Sequence, residues 1–285
     1  MPIQKRVEIL GAVSGEEDIF IMAGINSQEV VKRFHRGRVI ILHEIECSID
    51  KGDALEALNP ERPFAPPIHL RTEIPSSRAS WKRAARNQQE QIMELLERGL
   101  LQSPGFAVFS FSPIPLAIHF GYTYTDRINI SLFHYHRNRG TWAWPKNQET
   151  TSKPIKFSVT VHDLAENKHE AVIRISLSAR ISLKETNPLT SGAQMEIDLF
   201  IDDPDAFWLQ EPEQLKELSA CFLRALKNIR KQMPECRSIH LFYSGPTAGA
   251  VKIGQVINSR MNPPVLLYQY DRRLSPRYKH VLILD

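Results

Sequence analysis

The chain has 285 residues, of which 42% are hydrophobic and 24% charged, and a formal net charge of +4. That length supports roughly two domain-sized units with a buried interior, and the ordinary charged fraction excludes a wholly disordered chain. The small net charge lacks the dense basic stripe of a duplex-binding protein, although it permits an anionic ligand. No apolar run reaches the roughly 20 residues of a membrane span, and Met1 to Arg6 opens no signal-peptide core. Three cysteines, Cys47, Cys221 and Cys236, are an odd number without paired-ligand spacing, which argues against a disulfide framework and a zinc ribbon. The chain reads as cytoplasmic, with no cofactor and no metal expected.

In chain order, residues 7–12 and 19–23 alternate apolar and polar around Ser14-Gly15-Glu16 and predict a hairpin, and residues 39–49 predict a third strand. A proline-rich connection follows over residues 59–77, with Pro60, Pro63, Pro66, Pro67 and Pro75. Residues 80–101 then read as a long helix with Ala85, Ile92, Leu95, Leu96 and Leu100 inward. A short strand over 106–111, the turn Ser112-Pro113-Ile114-Pro115, a helix over 113–122 and a strand over 128–135 complete the first half.

The second half repeats this grammar. Residues 156–162 and 171–177 alternate around Glu166-Asn167-Lys168 and predict a hairpin, and residues 195–201 give a third strand. Residues 211–233 switch to helical period, with Leu215, Leu218, Phe222, Ala225, Leu226 and Ile229 on one face. Pro212 marks the start of this helix; Arg230, Lys231 and then Pro234 mark its end. A buried-type strand over 238–243 runs through Ser244-Gly245-Pro246-Thr247 into a helix over 246–258. A strand over 265–270 completes a βαβ unit, and residues 280–284 close the chain as a strand.

Phe109-Ser110-Phe111-Ser112-Pro113 through Gly121 overlies Phe242-Tyr243-Ser244-Gly245-Pro246 through Gly254 at one constant displacement. The match, inside two like element orders, predicts a duplicated α/β fold with halves at 1–150 and 151–285, divided near residues 149–154. Two ordinary βαβ units sharing one sheet are the rival reading.

In open parallel sheets, ligands lie beyond the carboxyl ends of the strands, where free N–H groups at helix N-termini favour anions. The two small, hydroxylated turns are therefore the candidate site: Phe111, Ser112 and Pro113 in the first half, Tyr243, Ser244, Gly245 and Thr247 in the second. Taken alone, Ser112 and Thr247 read as plain helix caps. The strands that follow end in nucleotide-compatible residues: Arg137, Arg139 and Trp142 in the first half, Tyr270 and Arg272 in the second. Arginine gives bidentate phosphate contacts, and aromatic rings offer faces for a base. His134 and His136 alternate onto one face but lack further metal ligands. His43-Glu44-Ile45-Glu46 is similar to a nuclease carboxylate pair, yet without the companion lysine it reads as the polar side of an amphipathic strand. No Walker loop, Gly-x-Ser-x-Gly or Cys–His pair appears, and the period places Cys221 in the core.

Residues 108–121 followed by 134–144, and residues 239–254 followed by 267–272, resemble the two halves of a SAVED domain. The resemblance implies an α/β fold of two fused Rossmann-like, CARF-like halves about a pseudo-two-fold axis. It implies a sensor that binds a cyclic tri- or tetranucleotide second messenger, adenine-containing, between its halves. Such a sensor oligomerises on ligand and activates an effector in antiphage defence of the CBASS or type III CRISPR kind. Both halves use up the chain, so the effector is expected on a separate polypeptide, or the chain is the sensor part of a longer one. No catalytic residue is assigned; the alternative is a ring nuclease cleaving the same ligand, with His119 or His134 as its base.

Overall fold

Two apolar runs set the architecture. Val39, Ile40, Ile41 and Leu42 are fully buried, as are Ala171, Val172 and Ile173, so both faces of each strand are covered. Continuous rather than alternating burial is what a parallel sheet imposes on its central strands. The computed structural model describes residues 37–63, 66–97, 105–124, 129–145, 153–162 and 169–285. The expected hairpin over 7–12 and 19–23 lies outside the described residues, as do Leu100 and most of the interval between the halves.

The first half runs β1 (Gly37–Glu44), α1 (Lys51–Leu58), β2 (Arg62–Pro63), β3 (Ile68–Leu70), α2 (Arg78–Glu97), β4 (Phe106–Phe111), α3 (Ile114–Tyr124) and β5 (Ile130–Phe133). The second runs β6 (Lys156–Val161), β7 (Glu170–Ser176), α4 (Leu183–Thr186), β8 (Met195–Phe200), α5 (Pro212–Gln232), β9 (Ser238–Ser244), α6 (Thr247–Val256), β10 (Val265–Tyr270) and β11 (Tyr278–Leu284). The first sheet places β2 and β3 along one edge of β1, then β4 and β5, all parallel. The second has the order β11-β10-β9-β7-β8-β6, parallel at its centre and antiparallel at both outer pairings.

Two expectations are corrected here. Residues 156–162 and 171–177 are strands but not a hairpin: β6 pairs antiparallel with β8, and β7 lies parallel between β8 and β9. Alternation in these two stretches records neither the neighbour nor the burial: β6 is mostly exposed, β7 is buried on both faces, and only β8 alternates in burial. Consequently β1 is the counterpart of β7 rather than of β8, since each occupies the place beside the strand that feeds the paired helices.

Helix α5 forms as its pattern dictates. Gln214 Oε1 accepts the Glu211 N–H at 3.0 Å at the start, and the six apolar residues of its predicted face are all buried. Each of the larger side chains, Ala225 excepted, contributes about 1.5–3 kcal/mol through removal from water. In α2 the buried stripe is Trp81, Ala84, Ala85, Gln88, Ile92 and Leu95.

One core cluster unites the halves. Helices α3 and α6 pack between the two sheets and touch through small residues: Gly121 lies on the Val251 carbonyl, and Gly254 lies on the Ile118 carbonyl. The contact is reciprocal, because Ile118 and Gly121 stand to α3 as Val251 and Gly254 stand to α6. A pseudo-two-fold axis therefore passes between these helices. Tyr122 adds a further tie, its hydroxyl donating to the Asp285 carbonyl at 2.8 Å.

Candidate functional site

The axis between α3 and α6 emerges at the carboxyl ends of both sheets, and there the chain opens a cleft of about 370 Å³. Two matching backbone devices build its rim. The Phe111 carbonyl, ending β4, accepts the N–H groups of Ile45 and Glu46 at 3.0 and 2.9 Å. The Ser244 carbonyl, ending β9, accepts those of Leu177 and Ser178 at 2.8 and 2.9 Å. Glu46 and Ser178 are thereby held at equivalent points, and both line the cleft. A loop fixed by Asp205 N–H to the Leu177 carbonyl brings in Ala206 and Phe207.

The first half supplies Phe111, Arg137 and Trp142 of the expected residues, together with Ser110, Phe133, His134 and Tyr135. The second supplies Gly245 and Thr247, flanked by Pro246 and Ala248. Five of the twelve expected residues thus meet in one cavity. Ser112 and Pro113 are buried beneath it, and Ser244 is half-buried with its carbonyl committed to the rim. Tyr243 is a core residue: its hydroxyl donates to the Pro246 carbonyl at 2.8 Å, and that hydroxyl lies so close to Gly249 that a Cβ there would overlap it. Arg139 is exposed in the turn beyond the cleft. Tyr270 and Arg272 lie exposed where β10 turns into β11, away from the cavity. Beside them Asp271 accepts Arg273 at 2.8 Å.

Neither hydroxylated turn is spent on capping. The N-cap of α6 is Pro246 and carries no side-chain hydrogen bond, and Ser112 Oγ reaches only the Pro113 carbonyl, at 3.3 Å. The Thr247 and Ala248 N–H groups at the start of α6 precede its first internal bond, Ala250 N–H to the Pro246 carbonyl, and Thr247 and Ala248 line the cleft. A helix start of this kind is electropositive and receives anions.

The charges agree with that polarity. Arg137 is exposed, and among the described residues no carboxylate pairs with it. Desolvation raises the Glu46 carboxyl above its usual range, with Arg137 opposing. Burial lowers His134 to about 3, so it is a neutral ring at physiological pH. Trp142 is 2% exposed, because Phe111, Phe109 and Tyr135 enclose it at centroid distances of 4.7, 5.4 and 5.2 Å. Its position in that stack leaves Tyr135, Phe111 and Phe207 as the more open aromatic surfaces of the cleft.

The reading of residues 43–46 as the polar side of an amphipathic strand is also corrected. His43 is fully buried and Glu44 is 6% exposed. Glu44 accepts Ile49 N–H at 2.7 Å, His69 Nδ1 at 2.6 Å and Arg71 Nε at 2.8 Å, which outweigh burial and hold its carboxyl low. His134 and His136 do meet, at 5.0 Å, but among the described residues no group of three or more candidate ligands gathers around a metal position. No helix of the described residues is long and apolar enough to cross a membrane.

Sequence reasoning missed Glu46, Ser178 and Phe207. Glu46 and Ser178 follow strands rather than the helix-opening turns, and only the backbone bonds to Phe111 and Ser244 place them. Phe207 sits in a loop whose sequence carries no site signal.

The model of the SAVED family, the SMODS-associated and fused to various effectors sensor domain, matches residues 84–284. Among solved structures, an Acinetobacter baumannii Cap4 SAVED/CARF-domain containing receptor with the cyclic trinucleotide 3′3′3′-cAAA is similar at 12% identity and a TM-score of 0.57. That similarity covers 91% of this chain and 54% of the receptor. The same receptor with 2′3′3′-cAAA gives 13% identity and a TM-score of 0.58, covering 94% and 55%. The chain thus spans about half the length of those receptors. No curated protein sequence matches it.

Proposed function

Since the chain belongs to the SAVED family of sensor domains, we propose that it binds a cyclic tri- or tetranucleotide, adenine-containing, in the cleft between its halves. The observation that carries this reading is the cleft itself. It lies on a pseudo-two-fold axis at the carboxyl ends of two sheets, faced by a helix start without a side-chain cap and by Arg137, which forms no ion pair among the described residues. A cyclic oligonucleotide is internally repetitive and carries its negative charges around a ring, which suits a site assembled from two related halves. The solved receptors of the same fold hold cyclic trinucleotides.

We further propose that binding drives self-association and switches an effector in antiphage defence. About 370 Å³ lies within the usual range of a small-molecule site, roughly 300–1,000 Å³. A three-nucleotide ring is larger than a typical occupant of such a volume and would leave part of itself outside, available to a second copy. Similar but non-identical faces on the two halves suit head-to-tail stacking, which does not close on itself. In this reading Arg139, Tyr270 and Arg272 contact the ligand or the neighbouring copy in the assembled form. The effector is a separate or fused polypeptide.

A nuclease reading receives less support. Burial lowers His119 to about 4 and His134 to about 3, and both are weak bases at neutral pH, far from the optimum for proton abstraction. The test is a thermal-shift screen with cyclic di-, tri- and tetranucleotides, followed by chromatography of the recovered ligand. Stabilisation with intact ring supports the sensor, a linear product supports the nuclease, and no shift with any ring refutes both. Light scattering with and without the stabilising ring tests assembly. A tight complex that stays monomeric at micromolar concentration contradicts that step alone.

A further inference from the structure

Beneath the cleft the first half holds a buried polar chain that the second half lacks. His43 and Ser110 are register partners on β1 and β4, whereas Ile175 and Tyr243 occupy the same places on β7 and β9. Ser110 Oγ lies 3.0 Å from His43 Nδ1, His43 Nε2 lies 2.9 Å from Gln88 Oε1, and Gln88 Nε2 lies 3.1 Å from the Leu116 carbonyl and 2.9 Å from His119 Nδ1.

The directions of these bonds follow from one end. The Leu116 carbonyl can only accept, so the atom of Gln88 facing it must be the amide nitrogen, and Oε1 must face His43. An amide oxygen only accepts, so His43 Nε2 carries a hydrogen. His43 is fully buried and stacks on Phe120 at 4.8 Å, in surroundings that hold it neutral, so Nδ1 is bare. A bare Nδ1 requires Ser110 to donate its only hydrogen inward. Ser110 lines the cleft, and no further described group bonds to its Oγ. Its two lone pairs therefore remain for whatever enters.

We infer that Ser110 is a fixed acceptor in the cleft and selects ligands that place an N–H or O–H donor there, either an exocyclic base amine or a ribose hydroxyl. This rests on the cleft being the ligand site, as proposed above. A freely rotating serine would accept or donate as the ligand demanded; this one cannot donate outward without stranding the buried His43 Nδ1, which is costly. The same geometry resembles an activated nucleophile, but burial lowers His43 to about 4, which makes it a poor general base near pH 7.

The test is titration calorimetry of the full chain with cyclic tri-adenylate and cyclic tetra-adenylate. The ring that binds is then compared with two analogues. One carries hypoxanthine bases, which present a carbonyl oxygen where adenine has its amine; the other carries 2′-deoxyriboses. One analogue is expected to bind the native chain at least about 10-fold more weakly than the parent ring, and its identity tells amine from hydroxyl. In Ser110→Ala the parent ring should weaken toward the analogue, closing the gap to within about 2-fold. Equal binding of the parent and both analogues by the native chain overturns the inference without needing any variant. A gap that persists unchanged in Ser110→Ala overturns it as well. If neither ring binds, the cleft reading itself has failed, and the inference with it.

Discussion

The contact between α3 and α6 makes a sharp prediction, because the sign of the effect is at stake. Gly254→Ala changes a mid-helix glycine, and on helix propensity alone the substitution should stabilise by up to about 1 kcal/mol. The structure reverses that expectation. A Cβ on Gly254 would sit 2.9 Å from the carbonyl carbon of Ile118, overlap its oxygen, and approach Tyr122 N to 3.0 Å. All three atoms are backbone, so no side chain can rotate away, and the helices must separate by on the order of 1 Å for ordinary contact. Overpacking of this kind costs about 1–3 kcal/mol, and the rigidity of the obstacle puts this site at the upper end. Net of propensity, a loss of about 2 kcal/mol is expected, or a fall in Tm of about 4–8 °C for a chain of this size. Gly121→Ala, whose Cβ would lie 2.9 Å from the Val251 carbonyl carbon, should behave alike. The double variant should cost less than the sum, since helices already pushed apart admit the second methyl. Urea denaturation of the four proteins measures all of this. If either single variant is as stable as the native chain or more so, the close approach is refuted, and with it the axis on which the cleft is placed.

Three further outcomes follow from particular residues. Arg137→Ala should weaken binding of the ring by about 1.5–3 kcal/mol, the scale of a lost charge-assisted bond, with unchanged Tm; unchanged calorimetric affinity would place the ligand elsewhere. Trp142→Ala should act mainly on folding, costing about 3–5 kcal/mol by urea denaturation, because the ring is enclosed by aromatic neighbours; a native midpoint would contradict its burial. His43 is lowered from 6.5 to about 4 when folded, so the unfolded chain binds the extra proton and stability is lost as pH falls through that interval. The contribution from His43 alone is about 2 kcal/mol between pH 7.5 and pH 5, read from urea midpoints, and a flat profile over that range would show that the ring is not buried neutral.

The longer elements and the helix faces were legible in the sequence because they are local, whereas α1, β2, β3 and α4 were not, β2 and β3 lying within the proline-rich connection. The apolar face of α5 needs only its own spacing, and the repeated turns at Pro113 and Pro246 needed only one another. Strand partners were not legible. β6 and β7 alternate like a hairpin, yet the sheet places β8 between them, and nothing within either strand records that crossover. The candidate site divides along the same line. Phe111, Gly245 and Thr247 follow from where turns open helices in parallel sheets, and Arg137 from the end of the strand that comes next. Glu46 and Ser178 depend on carbonyls distant in sequence, and Arg272 has the composition of a phosphate contact on a surface turn away from the cavity. Tyr243 was misleading for a simple reason: its hydroxyl suggests a ligand, whereas Pro246 and Gly249 show why the core accepts it.

The most direct measurement is the stoichiometry and affinity of cyclic tri- and tetra-adenylate by calorimetry, for the native chain and for Arg137→Glu, each against the linear oligonucleotide of equal length. One ring per chain, tighter than its linear counterpart and lost on charge reversal, is the result expected of a cleft on the pseudo-two-fold axis. Linear and cyclic ligands binding alike, or ring binding that survives Arg137→Glu, would contradict it.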